Sequence, residues 1–314
     1  MKKLLRNRSI RFAAVPAFLL LGALVGGCAT SSGGPKTAAE TRPRGHLLIV
    51  GGGPLPDALI ARFVELAGGA GHARIAVLPM ASEDADAGIE LTAEFNKLGA
   101  SAERVVLDRA TADTPAGAAR LAGVTGIWFG GGDQVKLTAA IGGTRAEAEI
   151  HARYREGAVL GGTSAGAAVM STPMITGDEK KPGGARPPAK GSGDAFMTIA
   201  RDNVITENGF SLIGGTVIDQ HFVRRRRSNR LISVILEHPD LVGIGIDEST
   251  ALEVGPEGPW RVLGESAAVV FDARGAAITP PGARTLGATG VRMSVLPAGS
   301  RYDRESGKAE LPQR

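Results

Sequence analysis

The 314-residue chain has a single cysteine, Cys28, so no intrachain disulfide can form and a stapled, core-poor fold is excluded. Histidine is nearly as scarce, with His46, His72, His151, His221 and His238 the full set. None clusters at metal-ligand spacing, so neither a metal nor an organic cofactor is expected. Acids are absent from the first 27 residues, which carry Lys2, Lys3, Arg6, Arg8 and Arg11. The formal charge of +4 therefore leaves a net −1 on the remainder. That removes the compositional basis for a polyanion-binding role, and no nucleic-acid partner is expected. No internal repeat and no second hydrophobic centre stand out, which favours one domain. What is present is an ordinary globular mixture, 43% apolar and 22% charged, long enough to bury a core.

The acid-free start reads as an export signal over residues 1–27: a basic stretch, an apolar segment from Phe12 to Leu24, then Val25-Gly-Gly-Cys28. The apolar part is too short to span a bilayer comfortably. Small residues directly before a cysteine resemble the bacterial lipoprotein signal, which implies lipidation at Cys28 and attachment to the cell envelope. The absence of Asp after Cys28 implies the outer membrane by the same resemblance. A plain cleaved signal and a buried thiol are the alternatives. Residues 28–44, rich in Ser, Gly and Pro, read as a tether. The folded domain is expected over 45–297, with a polar tail over 298–314.

Within that domain, the apolar runs at His46–Val50, Arg74–Leu78 and Gly126–Phe129 read as strands buried on both faces. Between them, Asp57–Leu66 and Ala85–Leu98 have helical spacing, and another helix is expected from Arg145 to Arg155. Alternation of this kind predicts an α/β fold with a doubly wound, mostly parallel sheet. Residues 177–195 lack any apolar period and read as a loop. Beyond them, short runs near 242–246, 251–254, 260–263 and 267–271 predict a mixed or antiparallel continuation.

Gly162-Thr-Ser164-Ala-Gly166 lies between a predicted strand and a predicted helix. A serine on such a sharp turn needs small neighbours, and its hydroxyl projects over the sheet edge. The amide of Ala165, opening the helix, can donate to a developing oxyanion. Glycine-rich turns also cradle phosphates, but no Walker lysine is present and Gly51-Gly52-Gly53 is followed by Pro54 without the dinucleotide spacing. A serine hydroxyl needs a base. His221 ends the apolar strand Thr216–Gln220 beside a run of arginines, whereas the other four histidines read most simply as surface or packing residues. Glu248, after the strand Gly243–Ile246, is the chosen acid, with Asp247 and Asp219 as competitors. The order Ser, His, Glu departs from the α/β-hydrolase order.

Phe129-Gly-Gly-Gly-Asp-Gln134, Gly161-Gly-Thr-Ser-Ala-Gly166, Asp219-Gln-His221 with Arg225, Arg227 and Arg230, and Gly243-Ile-Gly-Ile-Asp-Glu248 together resemble the cyanophycinases. The related α-aspartyl dipeptidases share the serine turn, and both belong to the class I glutamine-amidotransferase-like group. The resemblance, from about Gly45 to Phe271, implies a flavodoxin-like sheet and a Ser164, His221, Glu248 triad. It also implies substrate contacts at Gln134, Asp219, Gln220, Arg225, Arg227 and Arg230, and a second oxyanion amide at Gly132. The substrate it implies is cyanophycin, a polyaspartate bearing arginine on its side-chain carboxyls, cut to β-Asp-Arg dipeptides. Guanidinium forks suit the carboxylates of that unit, and Asp219 or Asp133 its cation. The export signal and the 177–195 loop depart from what a storage-polymer enzyme would carry. An exported dipeptidase acting on other aspartyl peptides and a non-catalytic, envelope-anchored binding module are the alternatives. Expected partners are a peptide or polymer substrate and the membrane, with homodimerisation left open.

Overall fold

The computed structural model describes residues 43–179 and 198–313. Cys28, the signal, all but the last residues of the tether, and residues 180–197 lie outside the described residues. The first half alternates strand and helix: β1 (Leu47–Val50), α1 (Asp57–Leu66), β2 (Arg74–Leu78), α2 (Ile89–Lys97), β3 (Ser101–Arg104), α3 (Arg109–Ala112), α4 (Pro115–Ala119), β4 (Gly126–Phe129), α5 (Gln134–Ile141), α6 (Arg145–Glu156), β5 (Val159–Thr163) and α7 (Ala165–Ala168). The second half holds β6 (Met174–Glu179), β7 (Val204–Glu207), β8 (Thr216–Gln220), α8 (Ser228–Glu237), β9 (Val242–Ile246), β10 (Thr250–Val254), β11 (Trp260–Gly264), β12 (Ala267–Asp272), β13 (Ala277–Ile278), β14 (Ala288–Thr289), β15 (Arg292–Pro297), β16 (Arg301–Asp303) and β17 (Lys308–Glu310).

Helix α1 forms because Leu59, Ile60, Phe63 and Val64 fall on one face and are buried, with Pro56 and Asp57 at its start. Helix α2 begins at Ile89, later than its apolar spacing suggests. Ahead of it, Ser82 accepts the Asp84 amide and Asp84 accepts the Asp86 amide, and these side-chain turns displace the helix. Thr144 caps α6, and Gly157 at φ +116° ends it.

Strands β3, β2, β4, β5 and β1 lie parallel in that order, and β10, β11, β16 and β17 extend the sheet antiparallel. Both faces of β1, β2, β4 and β5 are buried, while the edge strand β3 is partly exposed. Leu48 and Val50 join Phe63, Phe95 and Trp128 in one cluster, while Leu47 and Ile49 join Phe129, Leu137 and Ile150 in another. Two covered faces explain why these strands read as unbroken apolar runs. A second, four-stranded sheet runs β15-β12-β9-β8, with β8 parallel to β9 and the other pairs antiparallel. Helix α8 packs on it through Leu231 and Ile235, whose side chains close on the bare Cα of Gly243.

Two sequence expectations need correction. Gly177, Asp178 and Glu179 belong to β6, which pairs with β7 across a register irregularity, and not to a loop. Gly177 sits there at φ +97°, a bulge that composition disguises. The tail expected over 298–314 instead carries regular structure: β16 and β17 close the edge of the large sheet. Tyr302 anchors them, 1% exposed, beside Trp260 at 6.0 Å between ring centroids. One buried residue in a three-residue strand is too little pattern to read.

Candidate active site

The C-terminal ends of β5, β8 and β9 deliver Ser164, His221 and Glu248. Ser164 holds φ 54° and ψ −107°, a costly conformation for a residue with a side chain. The turn is possible because its neighbours are bare. A Cβ on Gly162 would lie 2.6 Å from the Gly166 carbonyl oxygen, and one on Gly166 only 2.1 Å from that of Phe129. Helix α7 after the serine is a single turn. Among the described residues no acceptor meets the N–H of Ala165, Gly131 or Gly132. Gly131 faces the Ser164 side chain, and Gly132, at φ +135°, packs on the Ala81 carbonyl.

His221 Nε2 lies 2.9 Å from Ser164 Oγ, and its Nδ1 lies 2.6 Å from Glu248 Oε1. A carboxylate can only accept, so Nδ1–H donates to Glu248 and leaves Nε2 free to accept the serine proton. Burial holds the imidazole below its ordinary pKa, opposed by the Glu248 hydrogen bond and reinforced by Arg225 and Arg227. The ring is therefore neutral at neutral pH, as a base must be. The two competing acids are engaged elsewhere. Asp247 accepts the Val223 and Arg224 amides at 3.1 and 2.9 Å and the Ser266 hydroxyl at 2.8 Å. Asp219 pairs with Arg230. His46 sits beside Glu253 and Arg62, and His151 lies 3.8 Å from Glu147.

The residues that the resemblance assigns to substrate differ sharply in exposure. Asp219 and Arg230 are buried and face each other in a two-pronged pair, Arg230 Nε donating to Oδ2 at 2.8 Å and Nη2 to Oδ1. Gln220 Oε1 accepts from both Arg227 and Arg230. Gln134 is buried, its amide nitrogen donating to the Ile175 and Thr176 carbonyls at 2.7 and 2.6 Å. Arg227 is 16% exposed and Arg225 50% exposed, with Arg225 Nε 4.0 Å from Glu248 Oε1. Among the described residues no group of three or more His, Cys, Asp or Glu could hold a metal ion.

The model of peptidase family S51 matches residues 47–258, the span that carries Ser164, His221, Glu248 and the arginines beside them. The chain belongs to peptidase family S51. This S51 chain is 36% identical over 225 residues to the cyanophycinase of Synechococcus elongatus, a match covering 70% of the chain and 65% of that protein. To the cyanophycinase of Geminocystis herdmanii it is 31% identical over 274 residues, covering 84% of the chain and 95% of that protein. It thus spans slightly less than two thirds of the length of the first of these relatives. A solved peptidase from an acI-B1 Actinobacterium shares the fold, at TM-score 0.56 and 22% identity over 81% of this chain and 98% of that one.

Sequence reading missed one component of this S51 site, the loop after β1. Val50 O accepts the Ser164 amide, Gly51 O the His221 amide and Gly52 O the Ser249 amide, at 3.1, 2.6 and 2.9 Å. Three glycines after a buried strand announce a backbone approached closely by something. They do not say that the partners arrive from residues 164, 221 and 249.

Proposed function

We propose that this protein is a serine peptidase that cleaves cyanophycin to β-Asp-Arg dipeptides through an acyl-enzyme on Ser164. The observation that carries this reading is the hydrogen-bonded chain from Ser164 Oγ through the His221 ring to Glu248. His221 Nε2 takes the serine proton as Oγ attacks an aspartyl backbone carbonyl. The amides of Ala165 and of the Gly131–Gly132 turn stabilise the oxyanion. His221 then returns the proton to the leaving amine as the C–N bond breaks. Water, deprotonated by the same ring, attacks the ester, and the proton passes back to Ser164 as the acid product leaves. Glu248 holds the imidazole tautomer and its transient charge throughout. Arg225 and Arg227 meet the carboxylates of the dipeptide unit.

The test is incubation of residues 29–314 with insoluble cyanophycin. Wild type should release β-Asp-Arg and Ser164→Ala should not. Absence of release together with fluorophosphonate labelling of Ser164 would leave a serine hydrolase with another substrate, such as an exported dipeptidase. Absence of labelling as well would leave a binding module. Attachment to the envelope through Cys28 is part of the same proposal, supported by the small residues before it, and Cys28→Ser should move the protein from membrane to soluble fractions. A homodimer is tested by sedimentation of the same soluble form.

A further inference from the structure

We infer that Gly52 is a positioning residue for catalysis: its bare Cα is the wall against which the His221 imidazole is set in line with Ser164. The inference rests on the proposed Ser164, His221, Glu248 chemistry and goes beyond it. Gly52 stands at φ +111°, and a Cβ there would lie 2.4 Å from both Cε1 and Nε2 of His221 and 2.9 Å from Nδ1. The two shortest of these contacts include Nε2, the nitrogen that accepts the serine proton. Its neighbours serve the same assembly. A Cβ on Gly51 would meet the Asp247 carbonyl oxygen at 2.1 Å, and one on Gly53 would meet Glu248 Cβ at 2.7 Å. The wall is itself fastened, because Ser249 donates its amide to Gly52 O at 2.9 Å and its hydroxyl to Pro54 O at 2.9 Å. One loop therefore registers all three reacting side chains. A side chain at Gly52 must push the imidazole off the line to Ser164 Oγ, since the ring is buried and the loop is pinned on both sides.

The experiment compares wild type with Gly52→Ala and with Gly69→Ala, a glycine at φ +80° with open space around it. Both substitutions strain the backbone in the left-handed region, but only one meets the imidazole. A displacement of about 1 Å costs on the order of 100-fold in rate. Gly52→Ala should therefore lose about that factor in kcat with KM little changed, and in the rate of fluorophosphonate labelling of Ser164. It should also lose the downfield Nδ1 proton signal of a carboxylate-bound imidazole, and losing that bond, which opposes the effect of burial on the ring, should move the acid limb of its pH–rate profile to lower pH. Gly69→Ala should keep all four properties. Labelling of Gly52→Ala at the wild-type rate would overturn the inference, whereas failure of wild type to label would overturn the underlying chemistry. Should Gly52→Ala fail to fold, Ser249→Ala decides: removing the pin to Pro54 should lower kcat and labelling in parallel at constant KM, and unchanged labelling would overturn the inference.

Discussion

Two buried aspartates in this chain are each gripped by a pair of arginines, Asp219 beside the candidate site and Asp272 in the C-terminal sheet. At Asp272 the arginines lie at the surface, Arg274 29% and Arg292 55% exposed, so water shares the load. The result is a depressed carboxylate: Arg274 hydrogen bonds hold Asp272 down to about 2. At Asp219 the order is inverted. Arg230 is 3% and Arg227 16% exposed, and burial followed by repulsion from Arg230 brings Arg227 down to about 9. Arg227 stays charged at neutral pH but is held poorly solvated beside the candidate base. The same inventory thus makes a staple in one place and a poised cation in the other, and position relative to solvent decides which.

Removing the shared carboxylate should separate the two most strongly. Asp219→Ala leaves the buried Arg230 guanidinium without its carboxylate and the partly buried Arg227 beside it, and breaking a buried pair costs about 3–5 kcal/mol. Urea unfolding should show that loss, with the proposed cyanophycin cleavage gone. An unchanged midpoint would mean that the arginines relax to water and that the site stores no charge.

Asp272→Asn should cost less, about 2 kcal/mol, and leave cleavage intact. The folded-state pKa lies below the ordinary carboxylate value of 3.8. Its contribution is therefore complete above that value and disappears as pH falls toward about 2. Stability curves of wild type and Asp272→Asn should converge across that window, and a gap that persists at its acid end would assign the effect to packing.

Arg227→Lys tests the poised cation. An ammonium keeps the charge but cannot satisfy Gln220 and a substrate carboxylate as a planar fork does. Losing one charge-assisted bond of about 1.5 kcal/mol should raise KM roughly tenfold with stability nearly unchanged. An unchanged KM would hand carboxylate recognition to Arg225 alone.

The parallel half of the fold was legible where its strands are buried on both faces, as in Leu47–Val50, and its helices carry apolar stripes, as in Asp57–Leu66, whereas the partly exposed edge strand Ser101–Arg104 offered no such run. The Ser164 turn was legible for a related reason, since part of its constraint is local: Gly162 must be small because the Gly166 backbone closes on it, whereas Gly166 is kept small by the Phe129 carbonyl of β4. Where the constraint is distant the sequence is silent. Gly52 is shaped by a ring 169 positions later, and Tyr302 by Trp260 across one antiparallel pair. The division of labour among Asp219, Arg227 and Arg230 was equally hidden, because a run of arginines reads the same whether its members face solvent or an aspartate.

Arg225 carries the smallest effect and the sharpest sign. Half exposed and 4.0 Å from Glu248, it adds to the push that keeps His221 below its ordinary pKa. The base must be neutral to act, so the acid limb of kcat/KM follows the His221 pKa. Arg225→Gln removes one cation from beside the ring and should move that limb to higher pH, lowering the rate in mildly acidic buffer more than in alkaline buffer. Because solvent reaches this arginine, the shift should be small and should shrink further as salt is added. The same substitution at Arg227, shielded from water, should move the limb in the same direction but with little dependence on salt. Equal salt sensitivity in the two variants would show that both arginines are solvated alike, and the contrast between the poised cation and the staple would then lose its physical basis.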